Sequence, residues 1–167
     1  KDDYYDFAEM LYKGKGTEVN ILDAIKYYEL ANTFGHKLAS YNLGDIYYEG
    51  NDVDQDYKKA KKYYEVFINL NRDTEKNYIK NYLSLVFFNM GKIYHDNLTN
   101  EEDFTLAKHY YEQSFNFGFN YAATYIGEFY YKGIGVDKNI DEAIKWLSKD
   151  LDSVTLQLLG EIYEYEK

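Results

Sequence analysis

The chain has 167 residues, a formal charge of −10, and neither cysteine nor proline. That length suits one ordinary domain. Without cysteine there can be no disulfide, thiolate metal site or cysteine nucleophile, and the acidic balance argues against nucleic acid or an anionic membrane surface as partner.

Taken in order, Asp2 to Lys13 reads as a helix, Gly14-Lys15-Gly16 turns it, and Ile21 to Thr33 reads as its partner. A second pair occupies Lys37 to about Leu70. Glu75 to Tyr94 reads as one long helix, with Tyr78, Tyr82, Leu85 and Val86 continuing its apolar stripe. Its partner ends near Phe119. Tyr121 to Leu147 is the clearest unit. There Ala122, Ile126, Phe129 and Tyr130 recur at helical spacing and make one face. Gly133-Ile134-Gly135 closes that helix, since glycine takes the left-handed conformation of a helix end. Asp137 or Asn139 starts the next, which runs from about Ile140 to Lys149. Val154 to Glu166 is a lone last helix.

These stretches are copies of one unit. A small residue marks each first helix at Ala8, Gly44, Gly91, Gly127 and Gly160, with spacings of 36, 47, 36 and 33. An alanine marks each second helix at Ala24, Ala60, Ala107 and Ala143, with spacings of 36, 47 and 36. Two independent markers with a common period identify a repeat array. A mid-helix glycine costs about 1 kcal/mol against alanine, so the repeated one implies a close helix approach. An aromatic pair follows each of the first three alanines: Tyr27-Tyr28, Tyr63-Tyr64 and Tyr110-Tyr111, with Trp146-Leu147 in the fourth copy. The repeats span 2–36, 37–72, 73–119, 120–153 and a half repeat 154–167, together one repeat domain over 1–167. The third carries eleven extra residues, about three helical turns, which keep the helix face in phase. Glycines fall at repeat positions and mark no linker.

The pattern resembles the Sel1-like repeat, a relative of the tetratricopeptide repeat. Ala39-Ser40-Tyr41-Asn42-Leu43-Gly44-Asp45-Ile46-Tyr47-Tyr48-Glu49-Gly50 is similar to the first half of that repeat, and Lys59-Ala60-Lys61-Lys62-Tyr63-Tyr64 to the second. The resemblance covers essentially the whole chain. Departures are Ala8 for the first glycine, Asp52 for a loop glycine, and Asn97-Leu98-Thr99-Asn100 in place of the third glycine loop. The resemblance implies an all-α fold, a right-handed α-solenoid of antiparallel helix-turn-helix repeats. It also implies a role as adaptor in signalling, protein quality control or host–microbe contact.

In stacks of that kind the first helices line a concave face. Three positions relative to the small residue then remain for a partner. They hold Tyr5, Tyr41, Phe88 and Thr124; then Glu9, Asp45, Lys92, Glu128 and Glu161; then Tyr12, Tyr48, His95, Tyr131 and Glu164. Tyrosine beside carboxylate suits lysine or arginine of a protein or peptide partner, because tyrosine gives large contact area and its face attracts cations. Against this stands a reading of the same tyrosines as half-buried spacers between helices.

No other motif carries chemistry. His36, His95 and His109 lack a second ligand at zinc spacing. Glu101-Glu102-Asp103 begins a helix, where acid is favourable. Lys58-Lys59 with Lys61-Lys62 flanks Ala60 and faces solvent. Gly14-Lys15-Gly16-Thr17 follows a helix rather than a strand and is no phosphate loop. Asn97-Leu98-Thr99 fits a glycosylation sequon. The expectation is a non-enzymatic interaction module without cofactor or metal, with self-association as the alternative. No targeting or spanning segment is visible, and with the absent cysteine this favours the cytoplasm, although the chain starts and stops inside a repeat and reads as a piece of a longer protein.

Overall fold

A computed structural model describes residues 1–97 and 101–165, the side chains of Glu101 and Tyr165 excepted. Helices α1 (Asp2–Lys13), α2 (Ile21–Thr33), α3 (Lys37–Glu49) and α4 (Tyr57–Asn71) are followed by α5 (Asn77–Asp96), α6 (Glu101–Asn116), α7 (Ala122–Lys132), α8 (Ile140–Leu147) and α9 (Ser153–Tyr165). There is no strand among the described residues. Of the loop that replaces the third glycine turn, Leu98, Thr99 and Asn100 lie outside the described residues, as does Glu166 of the expected last helix.

The helix ends follow from local chemistry. Gly14, Gly50 and Gly133 close α1, α3 and α7 in the left-handed conformation, with φ of 66, 67 and 70°. Asn20, Asp56 and Asn139 cap α2, α4 and α8, each accepting the backbone N–H three residues on. Each such cap stabilises its helix by about 1 kcal/mol. Asp152 does the same for α9 through the Thr155 N–H at 2.8 Å.

The chain forms two compact units, Lys1–Thr74 and Glu75–Lys167. In the first, α1 packs on α2, α3 on α4, and α2 on α3. Its core joins Ala8, Leu11, Ala24, Tyr28, Ala31 and Leu43. In the second, α5 packs on α6, α7 on α8, and α6 on α7. Here Ala107, Tyr111, Ala122, Ile126 and Phe129 form one cluster. The last helix adds Leu159 and Ile162 to Ala143 and Leu147, and so covers an apolar face that α8 would otherwise expose.

One contact recurs in both units. A β-carbon added at Gly44 would lie 2.5 Å from the Tyr64 ring, at Gly91 2.6 Å from the Tyr111 ring, and at Gly127 2.6 Å from Leu147. The mid-helix glycine is therefore the seat of a large side chain from the second helix, four residues past its alanine. Tyr28, Tyr64, Tyr111 and Leu147 are all fully buried in this role or its Ala8 equivalent.

The long helix α5 shows that the insertion extends a helix, displaced by two residues from the expected span. Its buried stripe is Ile79, Leu83, Val86 and Met90. Tyr78 and Leu85, expected in that stripe, are instead exposed. The spacings of 4, 3 and 4 back from Met90 follow one helix face, whereas Tyr78 and Leu85 lie on its neighbour.

At Gly127 an added β-carbon would also lie 3.2 Å from the backbone carbonyl of Ala143, so the site cannot open by moving one side chain. Gly127→Leu is expected to lower unfolding free energy by roughly 1–3 kcal/mol through overpacking. Urea denaturation followed by circular dichroism reads the midpoint; an unchanged midpoint would refute the seat.

Candidate binding surface

In the first unit, Tyr5, Glu9, Tyr12, Tyr41, Asp45 and Tyr48 come from α1 and α3, and all are half-buried. They are drawn together from beneath by the second helices. The Tyr28 hydroxyl donates to Glu9 at 2.5 Å, and the Tyr64 hydroxyl donates to Asp45 at 2.7 Å. Each tyrosine ring crosses the floor of its helix pair, and its hydroxyl emerges beside the carboxylate one position past the small residue. Asn42 donates to Glu9 at 2.9 Å and to the Tyr5 hydroxyl at 3.3 Å, tying α3 to α1. Glu9 also pairs with Lys13.

Between α1 and α3 lies a cleft of about 290 Å³. Glu9, Tyr12, Asp45, Glu49 and Asp52 line it, with Ile46 as an apolar patch. The Tyr12 hydroxyl donates to Asp52 at 2.8 Å across it. The electrostatics of its two innermost acids differ. Burial pushes Glu9 up, but Lys13, Tyr28 and Asn42 outweigh this and hold it below its ordinary value. Asp45 is raised: burial dominates, the Tyr41 and Tyr64 hydroxyls offset part of it, and the charge of Glu49 adds to it. Desolvation of a carboxylate without a cationic partner has this direction.

In the second unit the same positions hold different chemistry. Phe88, Lys92, His95, Glu128 and Tyr131 are half-buried, and Glu161 and Glu164 are exposed. Thr124 leaves the row: it is buried, and its hydroxyl lies 2.6 Å from that of Thr155, so it joins α7 to α9 and is not presented to a partner. Phe88 packs on Tyr111, Phe119, Tyr121 and Tyr125 with ring centroids 4.8–5.9 Å apart, which places it largely in the spacer role. With lysine at position 92, the Tyr111 hydroxyl meets His95 Nδ1 at 3.1 Å instead of a carboxylate. With leucine at 147, Glu128 has no tyrosine below it and pairs with Lys132 at 2.5 Å. Lys92 pairs with Asp96 at 3.5 Å, and Lys138 lies over the Tyr131 ring at 5.5 Å.

The second-helix tyrosines Tyr28 and Tyr64 are fully buried, yet their hydroxyls position this row from beneath, although their sequence positions point only to packing. A signal for them exists in the sequence: tyrosine at 28 and 64 accompanies acid at 9 and 45, whereas the third copy keeps the tyrosine at 111 but has Lys92, and the fourth keeps Glu128 but has Leu147. Among the described residues no group of three or more histidine or acidic side chains is placed to hold a metal ion. No helix is long and apolar enough to cross a membrane among them. His36 stacks on Tyr5 at 4.0 Å, where burial lowers its basicity.

His95 sits among Tyr111, Tyr125 and Phe129, with Phe129 nearest at 5.0 Å. Burial lowers its pKa, opposed by Glu128 and Asp96 and assisted by Lys92 and Lys132. The unfolded state then binds a proton more readily than the folded one, so stability falls as pH drops below about 6.5. Thermal melts between pH 7 and 5 should show this fall, and His95→Gln, which keeps an acceptor for Tyr111, should reduce the slope; an identical slope in the variant would exclude His95 as a source.

Comparison with known proteins accords with this architecture. The Sel1 repeat family model matches residues 4–33, 37–71, 88–116 and 120–149. Among solved structures, the crystal structure of a Sel1 repeat protein from Oxalobacter formigenes is similar at 22% identity and a TM-score of 0.69, covering 98% of this chain and 64% of that one. The structure of c5321, a protective antigen present in uropathogenic Escherichia coli strains that displays an SLR fold, is similar at 21% identity and a TM-score of 0.49, covering 98% and 41%. The chain thus spans less than two thirds of the length of either. No curated protein matches it.

Proposed function

We propose, from the premise that the chain belongs to the Sel1 repeat family, that it acts by holding a basic segment of a partner protein against its tyrosine and carboxylate surface. Sel1 repeats generally mediate protein–protein interactions, on a repeat fold that is non-catalytic. The observation that carries the finer reading is the cleft of the first unit, where four carboxylates stand against one lysine beside Tyr12. The formal charge of −10 adds a long-range attraction for basic partners. The contributing residues are Tyr5, Glu9, Tyr12, Tyr41, Asp45 and Tyr48 in the first unit. In the second they are Lys92, His95, Glu128, Tyr131 and Glu161, a row of mixed charge.

An array of immobilised peptides graded in charge tests the reading. Basic peptides should be retained and acidic ones excluded, with retention falling as salt rises because exposed charges are screened beyond about 10 Å at 0.1 M. A Tyr12→Ala, Tyr48→Ala double variant should keep its helical ellipticity and lose most of the retention. Retention indifferent to peptide charge would sink the proposal.

A second reading, self-association, draws on an apolar edge of the first unit. Tyr4, Phe7, Met10 and Phe34 are 38–59% exposed, and Tyr4 stacks on Phe34 at 5.8 Å. Light scattering across a wide concentration range should then show a mass that grows with concentration and is restored to the monomer by Phe7→Glu. A constant monomer mass would dispose of it.

A further inference from the structure

We infer that the cleft between α1 and α3 is a pocket for a single lysine or arginine side chain of the partner, its cationic head held by Asp45, Glu49 and Asp52. This deepens the proposed function and rests on it. Three observations converge. The first is size: about 290 Å³ lies at the small end of ligand clefts, which begin near 300 Å³, and fits one long side chain better than a folded motif.

The second is a charge imbalance between equivalent positions. In the second unit the chain supplies a lysine to two of its half-buried or neighbouring carboxylates, Glu128 from Lys132 and Asp96 from Lys92, while the exposed Glu161 has none among the described ion pairs. In the first, Lys13 is engaged by Glu9, and among the described ion pairs none involves Asp45, Glu49 or Asp52. Asp45 and Glu49 lie four residues apart on α3, a like-charge spacing that destabilises a helix. A cation between them would relieve that repulsion.

The third is an internal precedent. In the fourth repeat, Lys138 of the chain itself covers the ring of Tyr131, with Glu128 one helical turn earlier on α7. Tyr12 and Tyr48 are the equivalents of Tyr131, and the residues equivalent to Lys138 are Val19 and Gln55. The first unit therefore repeats the aromatic and acidic parts of that arrangement without its lysine. The raised pKa of Asp45 accords with a carboxylate that awaits a cation. Binding should accordingly tighten as Asp45 ionises and weaken in acid.

The test uses isotope-labelled full chain and the probe Nα-acetyl-lysinamide, followed by amide chemical shifts. Saturable shifts should concentrate at Tyr12, Asp45, Glu49 and Asp52. The uncharged isostere Nα-acetyl-norleucinamide should leave them unmoved, and Glu49→Gln with Asp52→Asn should weaken the probe at least tenfold. Asp45→Asn gives an independent readout: it should raise the melting temperature at neutral pH, by removing a desolvated charge while keeping an acceptor for Tyr64, and should also weaken the probe. Shifts spread without saturation over both units would overturn the pocket, as would silence at the cleft. If the cleft is silent while the peptide array still retains basic peptides, the pocket falls and the interaction reading stands; if the array also fails, both fall.

Discussion

The structure depends on one contact, a large side chain from each second helix lying across a small residue in the first. At Gly44, Gly91 and Gly127 there is no room even for a methyl group. Removing Cβ from a helix interior costs about 1 kcal/mol in backbone freedom. That cost is offset by complete burial of a tyrosine or leucine, at roughly 1.5–3 kcal/mol for an aliphatic side chain and more contact area for an aromatic one. The alanine four residues earlier in the second helix serves the same approach from the other side: Ala24, Ala60, Ala107 and Ala143 are all fully buried. Period, helix pairing and core composition all follow from keeping this seat in the four helix pairs; at Gly160 on α9, where the sequence spacing predicts a fifth close approach, an added β-carbon would meet nothing within 4 Å.

The seat also decides what faces outward. A tyrosine buried to its ring must still satisfy its hydroxyl, since an unpaired buried polar group costs about 1–3 kcal/mol. Position one past the small residue is where that hydroxyl arrives, and a carboxylate there accepts it at Glu9 and Asp45. Carboxylates in this row thus have a structural task before any partner is present. This is why groove and spacer readings of the row are not true alternatives. Glu9 is saturated by Lys13, Tyr28 and Asn42, whereas Asp45 is held by hydroxyls and remains raised.

Much of this is legible in the sequence because helical packing is periodic, and a repeat samples the same period several times. The bounds of α1 and α2, the glycine stops at Gly14 and Gly133, and the cap before α8 rest on interactions within a few residues. The buried face of α5 is less so. Tyr78, Tyr82 and Leu85 compete with Ile79 and Leu83 for the apolar stripe, and only the line back from Met90 separates the two faces. Thr124 escapes the sequence pattern for a similar reason. Its register matches Tyr5 and Tyr41, but its hydroxyl pairs with Thr155 on α9, a contact 31 residues away that no local pattern announces.

Variation between copies then carries information that the constancy of the seat does not. Replacing Tyr by Leu at 147 removes a hydroxyl donor from below Glu128, which pairs with Lys132 as Glu9 pairs with Lys13. Replacing acid by lysine at 92 sends the Tyr111 hydroxyl to His95, and Lys92 to Asp96. Each exchange keeps the fold, because the apolar bulk on the seat is preserved, yet it changes the charge offered at the surface. The chain in this way holds one packing solution fixed and alters the chemistry laid over it. In the cleft of the first unit, Asp45, Glu49 and Asp52 stand outside the described ion pairs, and a partner's cation is the group that would complete them.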